Sequence, residues 1–113
     1  MRRLVRAIIR GASVTHGSAL TVRIDPILLR AANILPLEEV EVVNHATGER
    51  VITFAEEAAE RSGEVHVPGM RAGDVVSILS WGLLHDGQTL GHETSIVTVD
   101  RSNHALSVIA SKP

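Results

Sequence analysis

Apolar and polar residues along this chain form short, roughly alternating runs, each cut off by glycine, proline or an Asn/Asp/Ser cluster, and that is the signature of many short strands. Residues 4–9 (LVRAII) alternate imperfectly around Arg6, as suits a strand partly covered on both faces, and Gly11 is expected to break it. Residues 14–16 and 19–24 read as further strands on either side of Gly17-Ser18. A short helix follows, with Asp25 as N-cap, Pro26 in the first helical position, 27–32 propagating and Asn33 taking the left-handed cap. Residues 40–44 (VEVVN) and 50–54 (RVITF) form a hairpin across a turn containing Gly48. At most two helical turns are expected at 56–61, ended by Ser62-Gly63, and a short strand at 65–67 halts at Pro68-Gly69. Residues 75–80 are an apolar run suited to a barrel centre, DGQ at 86–88 marks a loop, and 94–100 with 105–109 make a terminal hairpin. The prediction is a mainly β fold, a small closed barrel with one or two short helices, in a single domain over 1–113.

Composition narrows the chemistry. At 113 residues the chain is long enough for one core, burying roughly 65% of the surface its unfolded form exposes. Hydrophobic residues make up 44% and aromatics 2%, so that core is built from Val, Ile, Leu and Ala. No run approaches a membrane span, and the opening MRRLVRAIIRG is too short in apolar residues and too rich in arginine for a secretory signal. A soluble, cytoplasmic protein is therefore expected, and the absence of cysteine removes disulfides, thiol nucleophiles and thiolate metal sites. A net charge of -2 with scattered arginines gives no nucleic-acid footprint. There is no tyrosine, and the only lysine is Lys112, so a lysine Schiff base inside the fold is excluded. Ketimine chemistry would need a carbonyl from outside or one made from the backbone.

The order of segments resembles the pyruvoyl-dependent aspartate 1-decarboxylase family. The residues that carry the resemblance are VTH at 14–16, ID at 24–25, AANIL at 31–35, EEVEVVN at 38–44, TGER at 47–50, Thr53, AAER at 58–61, Gly69 and GDVV at 73–76. They cover about residues 3–80, in the family's order. The resemblance implies a six-stranded double-psi β-barrel, a homo-tetramer, and a self-made cofactor. In the family a serine after a glycine attacks the preceding carbonyl, the ester eliminates, and the new chain begins with a pyruvoyl ketone. That ketone forms the Schiff base with aspartate and acts as electron sink for loss of the 1-carboxylate, giving β-alanine. Two positions compete for this role: Ser18 has the Gly-Ser dipeptide, whereas counting back from Asp25 lands on Thr21, preceded by Leu20. Arg50 falls on the arginine that binds substrate carboxylate, Thr53 on the threonine beside the processing site, and Gly69 within the matching loop as a further substrate-side position. The chain departs from the family at Ile8 in place of a lysine, Phe54 in place of a proton-donating tyrosine, and Pro68 in place of an asparagine that helps processing.

Each candidate also has a plain structural reading. Gly17-Ser18 suits a hairpin corner, Arg50 a solvated strand charge, and Thr53 a β-branched strand former. Trp81 is expected to plug a barrel end. The six histidines show no HxH or HExxH spacing, so no metal motif is read from them; His16, beside the Gly-Ser step, is the candidate general base. Besides decarboxylation, two functions stay open: an unprocessed relative acting on a small carboxylate-bearing metabolite through His16 and Arg50, and a non-catalytic assembly subunit.

Overall fold

A computed structural model of the protein describes residues 1–17 and 20–113. The expected mainly β, barrel-type architecture forms. Among the described residues, eight strands join one curled sheet in the order β5-β2-β4-β3-β6-β1-β7-β8. The strands are β1 (Arg2–Ser13), β2 (Val22–Ile24), β3 (Glu39–Asn44), β4 (Arg50–Glu57), β5 (Val65–His66), β6 (Val75–Leu84), β7 (Thr94–Val99) and β8 (Ala105–Ser111). The concave side is filled by Ala7, Ile9, Val40, Val42, Val76, Ile78 and Val97, all fully buried, so small β-branched side chains do supply the core.

The one α-helix among the described residues, α1 (Pro26–Ala32), has the caps its sequence prescribes. Asp25 accepts the Ile27 N–H at 2.9 Å, and Asn33 closes the helix with φ 56°. Asp25 reaches further than a cap needs. Its Oδ1 also accepts the Arg61 N–H at 3.0 Å and its Oδ2 the Gly63 N–H at 2.9 Å, which ties α1 to the turn before β5. Buried Asn103 does the same at the other side of that turn, donating to the carbonyls of Ser13 (2.8 Å) and Gly63 (2.7 Å) and accepting the Ser13 N–H.

Two local expectations are corrected. Gly11 does not end the first strand: at φ 80° it sits in a register slip between Arg10 and Ala12, and β1 runs on to Ser13 against β6. The helical turns expected at 56–61 do not form either. Parallel pairing with β2 sets Glu56 opposite Arg23 and Glu57 opposite Ile24, and the Ala58 N–H is then taken by the Ile24 carbonyl at 3.0 Å, so strand pairing outcompetes a weak helix signal.

Candidate active-site face

Strand alternation on β4 turns Arg50, Ile52 and Phe54 outward, while Val51, Thr53 and Ala55 face the interior side. Register extends that outward face across the sheet. Ile52 lies opposite Glu41, Glu41 opposite Leu79, Leu79 opposite Ile8, Ile8 opposite Ile96, and Ile96 opposite Ile109. One row crosses six strands, apolar at every position but Glu41, and Arg50 and Phe54 flank its β4 end. The positions where the family resemblance puts its carboxylate-binding arginine, tyrosine and lysine are Arg50, Phe54 and Ile8, so all three share this face.

Glu41 changes what Arg50 offers. It was read only as a strand residue within VEVVN, yet its side chain is 8% exposed and its Oε1 accepts from Arg50 Nη1 at 3.0 Å. Its Oε2 accepts the Trp81 indole N–H at 3.0 Å, and the Arg3 guanidinium lies 4.0 Å from the center of the indole ring. Trp81 therefore holds Glu41 on the outward face instead of plugging a barrel end. The Arg50 side chain remains 66% exposed, which leaves guanidinium donors open to a ligand carboxylate. The signal for Glu41 in the sequence was a lone acid in an apolar strand, joined by a short turn to a strand beginning with arginine.

Thr53 is half-buried on the side of β4 away from Arg50. The parallel register of β2 and β4, with Val22 opposite Ala55, brings Thr21 level with Phe54, whereas Thr53 is on the opposite face of β4. Thr21 is half-buried, and the preceding Leu20 is 96% exposed. Leu20 stands where the family resemblance puts a glycine. Ser18 lies outside the described residues. Its neighbor Gly17 has a packing reason to be glycine: a Cβ there would sit 1.6 Å from the Met70 carbonyl oxygen. Gly69, at φ 75°, donates its N–H to the Gly17 carbonyl at 3.2 Å and so braces the same corner.

His16 is exposed and stands beyond this corner. Its Nδ1 contacts Thr15 Oγ1 at 2.9 Å and its ring stacks on His66, with centroids 4.2 Å apart. Sequence spacing gave no hint of that pairing, because only the bridge between His16 and His66 in the folded sheet creates it. No helix among the described residues is long and apolar enough to cross a membrane.

The fold is that of a small, mainly β, barrel-type protein. The family model for aspartate decarboxylase matches residues 1–106, and the chain belongs to that family. Among its relatives, the aspartate 1-decarboxylase of Dehalococcoides mccartyi is 37% identical over 108 residues, covering 91% of this chain and 86% of the relative. Aspartate 1-decarboxylase 2 of Gloeobacter violaceus is 39% identical over 108 residues, covering 91% and 85%. The aspartate 1-decarboxylase of Listeria monocytogenes is 35% identical over 104 residues, covering 88% and 80%.

Proposed function

We propose that this chain is a cytoplasmic carboxy-lyase of the aspartate 1-decarboxylase type, converting L-aspartate to β-alanine with a keto group derived from its own backbone at Thr21 or Ser18. The observation that carries the reading is Arg50, held by a single edge and open to solvent on the face that also presents Ile8 and Phe54. Its free donors bind a substrate carboxylate, and Glu41 fixes the guanidinium so that little side-chain entropy is lost on binding. Thr53 takes the assisting role in processing that the resemblance assigns it, and Gly69, donating its N–H to the Gly17 carbonyl, braces that corner. The keto group supplies the electron sink for loss of the carboxylate. Phe54 brings no proton to the face, so protonation of the product falls to water or to a neighboring group, and slow turnover is expected. The exposed apolar row through Ile52 and Ile109 supports a homo-tetramer in which further copies cover this face.

A second reading is favored by one specific contact. Because Glu41 already neutralizes Arg50, and because Leu20 replaces glycine before Thr21, the same face suits an unprocessed protein that binds a small carboxylate without self-cleavage. Intact mass of the purified protein separates the two. Two fragments summing to the chain, the larger starting with a ketone at position 18 or 21, together with β-alanine release from aspartate, support decarboxylation. An unbroken 12.1 kDa species in a protein that is at work rules the keto mechanism out.

A further inference from the structure

The segment carrying Val14 to Gly17 runs alongside β5. The Thr15 N–H donates to the Val65 carbonyl at 2.8 Å, the Val67 N–H donates to the His16 carbonyl at 3.0 Å, and His16 and His66 form the bridge between them. Bridge partners project from the same side of a sheet, and so do residues two apart on one strand. Glu64, His66 and His16 are thereby brought to one side, with one ligand atom from each lying within 4.8 Å of the others.

The nitrogens are set for this. Thr15 Oγ1 donates its proton to the Val65 carbonyl at 3.1 Å and accepts the Val65 N–H at 2.9 Å. Having no proton left, the hydroxyl must accept from His16 Nδ1, and this hydrogen-bond network assigns neutral His16 the tautomer whose lone pair is on Nε2. That lone pair lies 4.0 Å from Glu64 Oε1. His66 Nε2 lies 3.7 Å from the same oxygen and is a buried nitrogen without a hydrogen-bond partner among the described residues. Two imidazole nitrogens thus surround one carboxylate oxygen at distances too long for hydrogen bonds.

We propose that His16, Glu64 and His66 bind a divalent transition-metal ion of the zinc class, with His16 Nδ1 oriented by Thr15. Two imidazoles and one carboxylate suit zinc rather than magnesium or calcium, and three protein ligands leave a position for water. Tetrahedral bonds of about 2.0–2.1 Å bring ligand atoms to about 3.3 Å apart, so the cluster, whose atoms now lie within 4.8 Å of one another, must contract. Near-parallel rings, 14° apart, cannot both aim their lone pairs at one ion, so binding turns the exposed His16 ring out of its stack while half-buried His66 keeps its place. The Thr15 contact is the orienting hydrogen bond that such ligands use. The site uses neither Arg50 nor Thr21.

The test is calorimetry with zinc chloride on the full chain, freed of any affinity tag and dialyzed against chelator. Wild type is expected to bind one ion per chain in the micromolar range or tighter, and His16→Ala and Glu64→Gln are each expected to weaken binding by at least about tenfold. His104→Ala, at a histidine outside the cluster, is expected to bind as wild type does. In the bound protein the imidazole proton signals of His16 and His66 shift together, reporting the broken stack. Circular dichroism verifies that the His16 and Glu64 variants remain folded, which the exposure of His16 favors. No saturable binding at about 100 µM zinc, or binding that survives both substitutions in folded protein, overturns the assignment.

Discussion

Replacing Glu41 by glutamine isolates the contact that most constrains the candidate site. In the native protein one carboxylate serves Arg50 at 3.0 Å and Trp81 at 3.0 Å through separate oxygens. Glutamine keeps one acceptor and turns an amide toward the other donor, so one N–H loses its partner, at a stability cost of about 1–3 kcal/mol. Arg50, by contrast, gains. A unit negative charge about 4 Å away opposes ligand binding by about 1 kcal/mol in a solvent-like environment and more in a drier one, and the exposure of Arg50 argues for the lower figure. L-Aspartate is therefore expected to bind the variant roughly five- to tenfold more tightly, by calorimetry at low ionic strength, with the gain shrinking as salt is added. Glu39→Gln, on the same face of β3 but without a side-chain hydrogen bond to Arg50, is the control and is expected to change affinity by less than about twofold. Unchanged or weaker binding by folded Glu41→Gln would refute the idea that Glu41 limits Arg50.

Two further outcomes concern stability. Asp25→Ala removes the acceptor of three backbone N–H groups, those of Ile27, Arg61 and Gly63, and is expected to cost roughly 3 kcal/mol or more in denaturant unfolding, with Asp25→Asn recovering part of it. Glu38 is partly buried, which pushes its carboxyl up, but hydrogen bonds from Ser80, Arg6 and the Leu35 N–H and the charge of Arg6 outweigh burial and hold it below the ordinary carboxylate value. A carboxyl depressed in the folded state contributes stability above its unfolded value near 4.5, and that contribution is lost as pH falls through the folded value. Melting temperature is expected to drop with acidification across that window, and Glu38→Gln is expected to be less stable at neutral pH with a shallower acid slope.

How much of this was legible in the chain depends on the range of the interaction. The Asp25-Pro26 start and Asn33 stop of α1 were readable because caps are local chemistry, and the β3–β4 hairpin because its turn fixes register within a few residues. Gly11 and residues 56–61 were misread for the opposite reason: partners far along the chain, β6 and β2, decided their conformation. The same holds at the candidate site. Arg50 carried a motif, whereas the Glu41 oxygens that engage it and Trp81 became visible only once three strands were laid side by side. The meeting of His16 with Glu64 and His66 required a parallel bridge that no spacing rule encodes.

The place of β1 in the sheet governs how the protein can be made. Among the described residues β1 pairs with β6 and β7, so its antiparallel partner is incomplete until residue 84 has been synthesized, and its parallel partner until residue 99. Both of its edges stay open until those later strands emerge, which leaves the nascent chain exposed to edge-to-edge pairing. The β2–β4 junction, by contrast, has both of its strands once residue 57 has been made, and shortening the β7–β8 hairpin is expected to harm solubility before it harms catalysis.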